Sequence, residues 1–185
     1  RPHGGRVILP MRHLTPADYI RQPWKNGRGT TTELLHLRDP AGATLLRLSR
    51  ASVVEDGPFS LFPGIERNLT VLSGPGFRLI GPGLDLRCDL LAPVAFPGDV
   101  EVMASETGGQ SSEDFNVMTA RALPRPRVCL AQNGGLTGEG PLALYALGPC
   151  RVNGTAVAQG DLILTGGSAS VAGDGPVIAV RYSGV

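Results

Sequence analysis

Cysteine, histidine and net charge are all in short supply in this 185-residue chain. The three cysteines, Cys88, Cys129 and Cys150, are odd in number and form no Cys-x-x-Cys pair. Neither a disulfide framework nor a zinc knuckle is therefore signalled. They read as reduced, buried thiols of a cytoplasmic protein. The histidines are His3, His13 and His36, with no His-x-His among them. Lys+Arg is 17 and Asp+Glu is 16, a formal charge of +1, so no basic excess points to nucleic acid and no basic run to an anionic membrane surface. No apolar stretch reaches the roughly 18 residues of a membrane span. No positive-then-apolar signal pattern opens the chain. A serine hydrolase finds neither a Gly-x-Ser-x-Gly elbow nor a histidine beyond residue 40. Residues 1–10 precede Met11, where the run reads like a natural start. They read as a tag or non-native extension and are assigned no part in the fold.

What is abundant is turn chemistry. Gly 26 and Pro 16, with 42% hydrophobic and 18% charged residues, favour a packed core of many short strands over a helical bundle. One helix is expected, over Thr15 to Arg21, with Thr15 as its cap. Strands are expected over Leu45–Val54, Leu69–Leu72, Phe77–Ile80, Asn116–Arg121, Leu142–Leu147, Ala156–Ala158, Leu162–Thr165 and Val177–Tyr182. Gly108–Asp114 and Leu123–Arg127 read as loops, the second joining two halves. A weak internal repeat supports the halves. Val71-Leu72-Ser73-Gly74 leads to Phe77-Arg78-Leu79 and later Gly98-Asp99; Ala146-Leu147-Gly148 leads to Cys150-Arg151-Val152 and then Gly160-Asp161. The expectation is an all-β chain of two stacked jelly-roll-like barrels or sandwiches. Residues 11–122 and 123–185 form the halves, with strand sharing left open.

The second-half pattern, Asn153-Gly154 turning and Gly160-Asp161 opening a strand, resembles cupins. The run from Pro23 to Glu33, PWKNGRGTTTE, resembles the signature of the HutD/Ves family. Leu46-Arg47-Leu48-Ser49, the run from Gly57 to Arg67, and Asp114-Phe115-Asn116-Val117-Met118 agree with it, in family order. The resemblance implies a bicupin without the usual metal, linked to bacterial histidine utilisation. It further implies binding of a small pathway carboxylate, such as N-formylglutamate or urocanate, and restraint of the pathway's expression. Arg28 stands where the family has Gly, which narrows or recharges the loop. Leu46 stands where it has Trp, which removes an aromatic wall. Against the first cupin motif, Gly74 closes the segment, Arg67 occupies the carboxylate's place, and Ser60 to Pro63 fill the histidine region. Ser60 and Phe62 thereby join the candidate ligand-binding residues. A cation cannot coordinate a cation, so no metal is expected; no cofactor and no catalytic residue are assigned either. His36 reads as a surface strand residue.

Arg67 is the most informative position. On a strand from Glu66 to Ser73, alternation sets Arg67 beside Leu69 and Val71 on the inward face. A desolvated guanidinium keeps its proton and must find an anion. That anion is a ligand carboxylate, an internal partner (Glu33 or Asp114), or both. Arg47 shares a face with Ser49 and Ala51, and is either a second inward cation or a surface arginine. Gly27 and Gly29 allow positive φ and close backbone approach beside Trp24, which either flanks a pocket or plugs the barrel end. Lys25 is a second cationic contact or, less simply, a Schiff-base nucleophile. Asn26 and Asn116 are candidates to read a ligand's polar end. Asp114 orients the cations or stabilises a turn. The leading expectation is a cytoplasmic, regulatory, carboxylate-binding protein, with a homodimer left open and no nucleic-acid or membrane partner. The rival is a metal-independent isomerase or lyase acting on a small organic acid, its base drawn from Glu33, Asp114 or Lys25. A stress-related protein with no ligand is the third reading.

Overall fold

The computed structural model describes residues 11–24 and 27–185. Nineteen strands follow one another among the described residues. They are β1 (Arg12–Leu14), β2 (Ile20–Pro23), β3 (Thr30–Arg38), β4 (Thr44–Val53), β5 (Gly57–Pro58), β6 (Ile65–Ser73), β7 (Phe77–Gly81), β8 (Leu84–Cys88), β9 (Val94–Pro97), β10 (Met103–Ser105), β11 (Ser112–Ala120), β12 (Arg127–Ala131), β13 (Gly134–Leu136), β14 (Pro141–Ala146), β15 (Cys150–Val152), β16 (Thr155–Val157), β17 (Leu162–Gly166), β18 (Ala169–Ala172) and β19 (Val177–Arg181). The helix expected over Thr15–Arg21 shrinks to one 3-10 turn, Pro16–Asp18. The chain beyond it is drawn into pairing with β3, and Pro23 disfavours helical geometry at the residue before it. The loop expected over Gly108–Asp114 gives up its last three residues to β11. No described helix is long and apolar enough to cross a membrane.

Two compact units divide the chain. The first holds Asp18–Arg125 with Gly184–Val185. Its sheets are six-stranded, β2-β3-β4-β11-β6-β9, and four-stranded, β5-β10-β7-β8. The second unit holds residues 11–17 with Pro126–Ser183. Its sheets run β1-β17-β14-β19-β12 and β13-β18-β15-β16. Residues 11–17 thus group with the chain's far end, not with the residues they adjoin. β1 adds to the edge of β17, where His13 Nε2 lies 2.7 Å from Asp161 Oδ2.

Four strands of each large sheet, and all four of each small sheet, share one order. β4-β11-β6-β9 matches β12-β19-β14-β17, and β5-β10-β7-β8 matches β13-β18-β15-β16. The internal repeat is therefore present as topology, but its Gly-Asp landmark is out of step. Gly98-Asp99 comes after β9, whereas Gly160-Asp161 precedes β17. The sheets of each unit stay open at their edges, so each unit is a sandwich and not a closed barrel.

The two interiors differ in what fills them. In the second unit Leu142, Leu144, Ile163, Val171, Val177 and Ala179 form a wholly apolar cluster. In the first unit Leu69, Val71, Phe77, Leu79 and Ala104 pack between the sheets, and the polar residues begin beyond them. Full burial of each large side chain contributes roughly 1.5–3 kcal/mol, enough to anchor a sandwich that keeps part of its interior polar. Cys88 and Cys150 are buried as expected; Cys129, on β12, is exposed.

Candidate functional site

The six-stranded sheet of the first unit carries a polar inner face. Antiparallel register sets His36, Arg47, Met118, Arg67 and Phe96 in one row across β3, β4, β11, β6 and β9. The next row is Glu33, Ser49, Asn116, Leu69 and Val94, and Ala51, Asp114 and Val71 make a third. Over these rows lies a cleft of about 680 Å³. Arg47, Ser49, Arg67, Asp114, Asn116 and Met118 line its floor; Trp24, Thr31, Phe59, Ser60 and Phe62 line its walls. The matching face of the second unit is mainly apolar, around Leu144, Ile163 and Ala179, with Arg181 and Thr165 in the row of Leu142 at its end.

Arg67 points inward, as alternation predicts, and is 8% exposed. Its Nη2 donates to Asn116 Oδ1 at 3.1 Å. Its Nε–H is buried with no acceptor among the described residues. No described carboxylate lies within salt-bridge reach; Asp114 acts on it through space. Three rings surround the guanidinium, with centroids at 5.3 Å (Phe59), 5.2 Å (Phe62) and 5.0 Å (Phe96). Each desolvated cation–π contact is worth up to about 2 kcal/mol, which partly offsets the several kcal/mol of taking the ion from water. Burial, with Arg47 nearby, pulls its pKa down to about 10, so it stays cationic at neutral pH.

Asp114 and Asn116 continue the chain of contacts. Asn116 Nδ2 donates to Asp114 Oδ1 at 2.5 Å. Burial pushes the Asp114 carboxyl up to about 7, although the bond from Asn116 and the charge of Arg67 pull the other way. The folded chain thus keeps this proton while the unfolded chain sheds it near 3.8. The proton's contribution to stability is complete below that value and is gone once pH passes about 7. Denaturation midpoints are accordingly expected to fall between those limits, and Asp114→Asn to flatten that slope. A variant with an undiminished slope would show that another group is responsible.

Glu33 sits elsewhere than expected. It does not line the cleft. Glu33 Oε1 accepts from Arg47 Nε at 3.0 Å and lies 2.9 Å from His36 Nδ1. Arg47 is inward and lines the cleft, its Nη2 reaching Gln22 Oε1 at 3.3 Å. His36 is not a surface residue: its side chain is 12% exposed and its Nε2 lies 2.7 Å from Thr44 Oγ1. Leu46, on the far face of β4, is fully buried and outside the cleft, so having leucine there does not alter the cleft wall. Arg28 turns to Glu55 in an exposed ion pair. Lys25 and Asn26 lie outside the described residues. Phe59, Phe96 and Gln22 went unnoticed in the sequence. Phe96 follows from its register with Arg67, but Phe59 and Gln22 needed the tertiary fold.

Trp24 is a wall residue held in place. Its Nε1–H donates to Thr31 Oγ1 at 2.8 Å. Its ring lies against the backbone of Gly29, where a Cβ would come within 2.7 Å of it. Gly29→Ala is expected to displace this ring, the chain's one tryptophan, and shift its fluorescence to the red. Unshifted emission would mean that the ring is not seated on Gly29.

Among the described residues no group of three His, Cys, Asp or Glu side chains is arranged to hold a metal ion. A family model, HutD, matches residues 16–158. The chain belongs to the HutD family. An uncharacterised 21.2 kDa protein in the hutC 3′ region of Pseudomonas putida is 41% identical over 123 residues, 64% of this chain and 63% of that relative. The matched stretch therefore spans a little under two thirds of that relative's length. The structure of HutD from Pseudomonas fluorescens SBW25 (formate condition) is similar, with a TM-score of 0.81 and 26% identity over 95% of this chain and 100% of that one. A conserved protein of unknown function from Pseudomonas aeruginosa PAO1 reaches 0.80 and 29%, with the same coverage. A cupin 2 conserved barrel domain protein from Leptotrichia buccalis, 8% identical over 84% of this chain and 89% of that one, shares the fold alone at a TM-score of 0.54. The chain is thus all-β and cupin-like, in agreement with the bicupin that the resemblance implied.

Proposed function

We propose that the cleft of the first unit binds a small organic acid, with N-formylglutamate the best fit, and that the protein is a cytoplasmic, metal-independent regulator of histidine utilisation. The observation that carries this reading is Arg67, a buried cation facing a cleft with no carboxylate against it among the described residues. A ligand carboxylate would complete its hydrogen bonding through two parallel charge-assisted bonds. Arg47 lies in the same row two strands away, roughly 10 Å between backbones, with both arms reaching into the cleft. That spacing suits an acid with two carboxylates better than urocanate, which has one. The P. putida relative in the hutC 3′ region supports the place in the pathway. Regulation follows by sequestering the acid or by a partner contact that depends on it.

Isothermal titration calorimetry is expected to show saturable 1:1 binding of N-formylglutamate, tighter than that of urocanate and unchanged by EDTA. No heat with either acid would leave the reading without a ligand. A second reading, a metal-independent lyase or isomerase, is favoured by Asp114, whose carboxyl near neutrality suits a general base. Glu33, engaged by Arg47 and His36, does not offer that role. Sustained turnover of either acid, abolished in Asp114→Asn, would establish the enzyme reading over the regulatory one.

A further inference from the structure

We infer that Glu33 and His36 are positioning residues that hold Arg47 as the selector for a second carboxylate; this rests on the dicarboxylate reading of the cleft. Three observations on β3 and β4 carry it. The first is a β-bulge. β3 pairs with β4 as Glu33↔Ser49, then Leu35↔Leu48 and His36↔Arg47, so one extra residue is inserted between Glu33 and Leu35. Strict alternation would put positions 33 and 36 on opposite faces. The bulge brings both to the inner face, beside Arg47. Bulges of this kind re-aim side chains near binding sites.

The second is the contact chain that results. Glu33 Oε1 is shared between Arg47 Nε at 3.0 Å and His36 Nδ1 at 2.9 Å. His36 Nε2 is fixed in turn by Thr44 Oγ1 at 2.7 Å, and Arg38 Nη2 lies 3.1 Å from its Nδ1. All three central side chains are nearly covered, at 12% exposure for Glu33 and His36 and 15% for Arg47. The third is what this chain leaves over. Glu33 and Gln22 engage Arg47 through Nε and Nη2, so Nη1 and the second hydrogen of Nη2 have no protein acceptor among the described residues. Arg47 lines the cleft, whereas Glu33 and His36 stand behind it. Arg67 has no such carboxylate behind it among the described residues. The two cations are therefore supported differently, the one by aromatic rings and the other by an ion pair that sets its direction.

Positioning and plain electrostatics predict opposite signs. Glu33→Gln removes a negative charge near the cleft, so charge alone would tighten anion binding. Loss of Arg47's anchor would weaken it. The readout is the preference for N-formylglutamate over its two mono-amides, titrated calorimetrically with the full chain. In Glu33→Gln and His36→Ala that preference is expected to fall about fivefold, as support behind a contact residue is lost, while affinity for the amide that keeps its carboxylate on Arg67 stays within about twofold. His36→Asn, which keeps a donor near the Nδ1 position, is expected to restore most of the preference. A preference that rises or holds in Glu33→Gln overturns the inference. Arg47→Met separates this from the underlying reading. If Arg47→Met abolishes the preference and Glu33→Gln does not, the positioning role fails. If Arg47→Met leaves the preference intact, the second carboxylate is not on Arg47 at all.

Discussion

Arg67→Met is expected to weaken N-formylglutamate binding at least about a hundredfold, while the protein remains folded and its Tm is unchanged or higher. The binding loss follows from two charge-assisted hydrogen bonds of roughly 1.5–3 kcal/mol each, less the ordering cost of the ligand. The stability gain follows from the same residue's surroundings. Arg67 is buried among Phe59, Phe62 and Phe96 with an unsatisfied Nε–H. Methionine fills much of the volume, makes favourable sulfur–aromatic contacts and carries no charge to desolvate. A residue kept for structure would show the reverse pattern, with stability falling and affinity intact. Arg67→Lys supplies the second arm. It keeps the charge but loses the planar fork, and an intermediate, roughly tenfold loss is expected. Wild-type affinity in both variants would remove the site.

Gly74→Ala is expected to cost on the order of 3 kcal/mol of stability, read as a lowered midpoint in chemical denaturation. Gly74 opens the turn from β6 to β7 at φ +90°, a conformation that side chains rarely adopt. A Cβ there would also lie 2.3 Å from Ser111 O and 2.7 Å from the Cα and Oγ of Ser112. Ser112 cannot retreat freely, because its Oγ accepts the Gly76 N–H at 2.9 Å and it pairs with Val53 at the start of β11. The clash is therefore with backbone on both sides. Asp114 and Asn116 come two and four residues later on the same strand, so a milder loss of affinity should accompany the loss of stability. A midpoint within error of wild type would show that this turn has room to rearrange.

Much of the inner face was legible because strand alternation is local. Arg67 with Leu69 and Val71, Arg47 with Ser49 and Ala51, and Asp114 with Asn116 and Met118 each lie on one face as the period of two requires. The paired runs around Trp24 and from Gly57 to Arg67 carried the family. Long-range pairing was not legible. β1 joins β17 across most of the chain, and no residue in Arg12–Leu14 announces that partner. His36 reads as a surface residue but stands covered beside Glu33 and Arg47, because the bulge after Glu33 shifts the parity of the rest of the strand and no local residue pattern announces it. The helix at Thr15 failed because a good cap says nothing about whether a second turn can compete with an open sheet edge. The Gly-Asp landmark misled because two chemically similar turns occupy different places in the same plan.

The shared strand order has a consequence for how sequence change would be tolerated. One copy has an interior packed mainly with apolar side chains, so substitutions at Leu144 or Ile163 should register as lower yield of intact protein. The other copy holds ionisable groups in the corresponding space, and changes there can alter selectivity while yield is preserved. A chain built this way has a conservative half and an innovating half, and new ligand preferences should arise between Thr31 and Met118 long before they arise after Pro126.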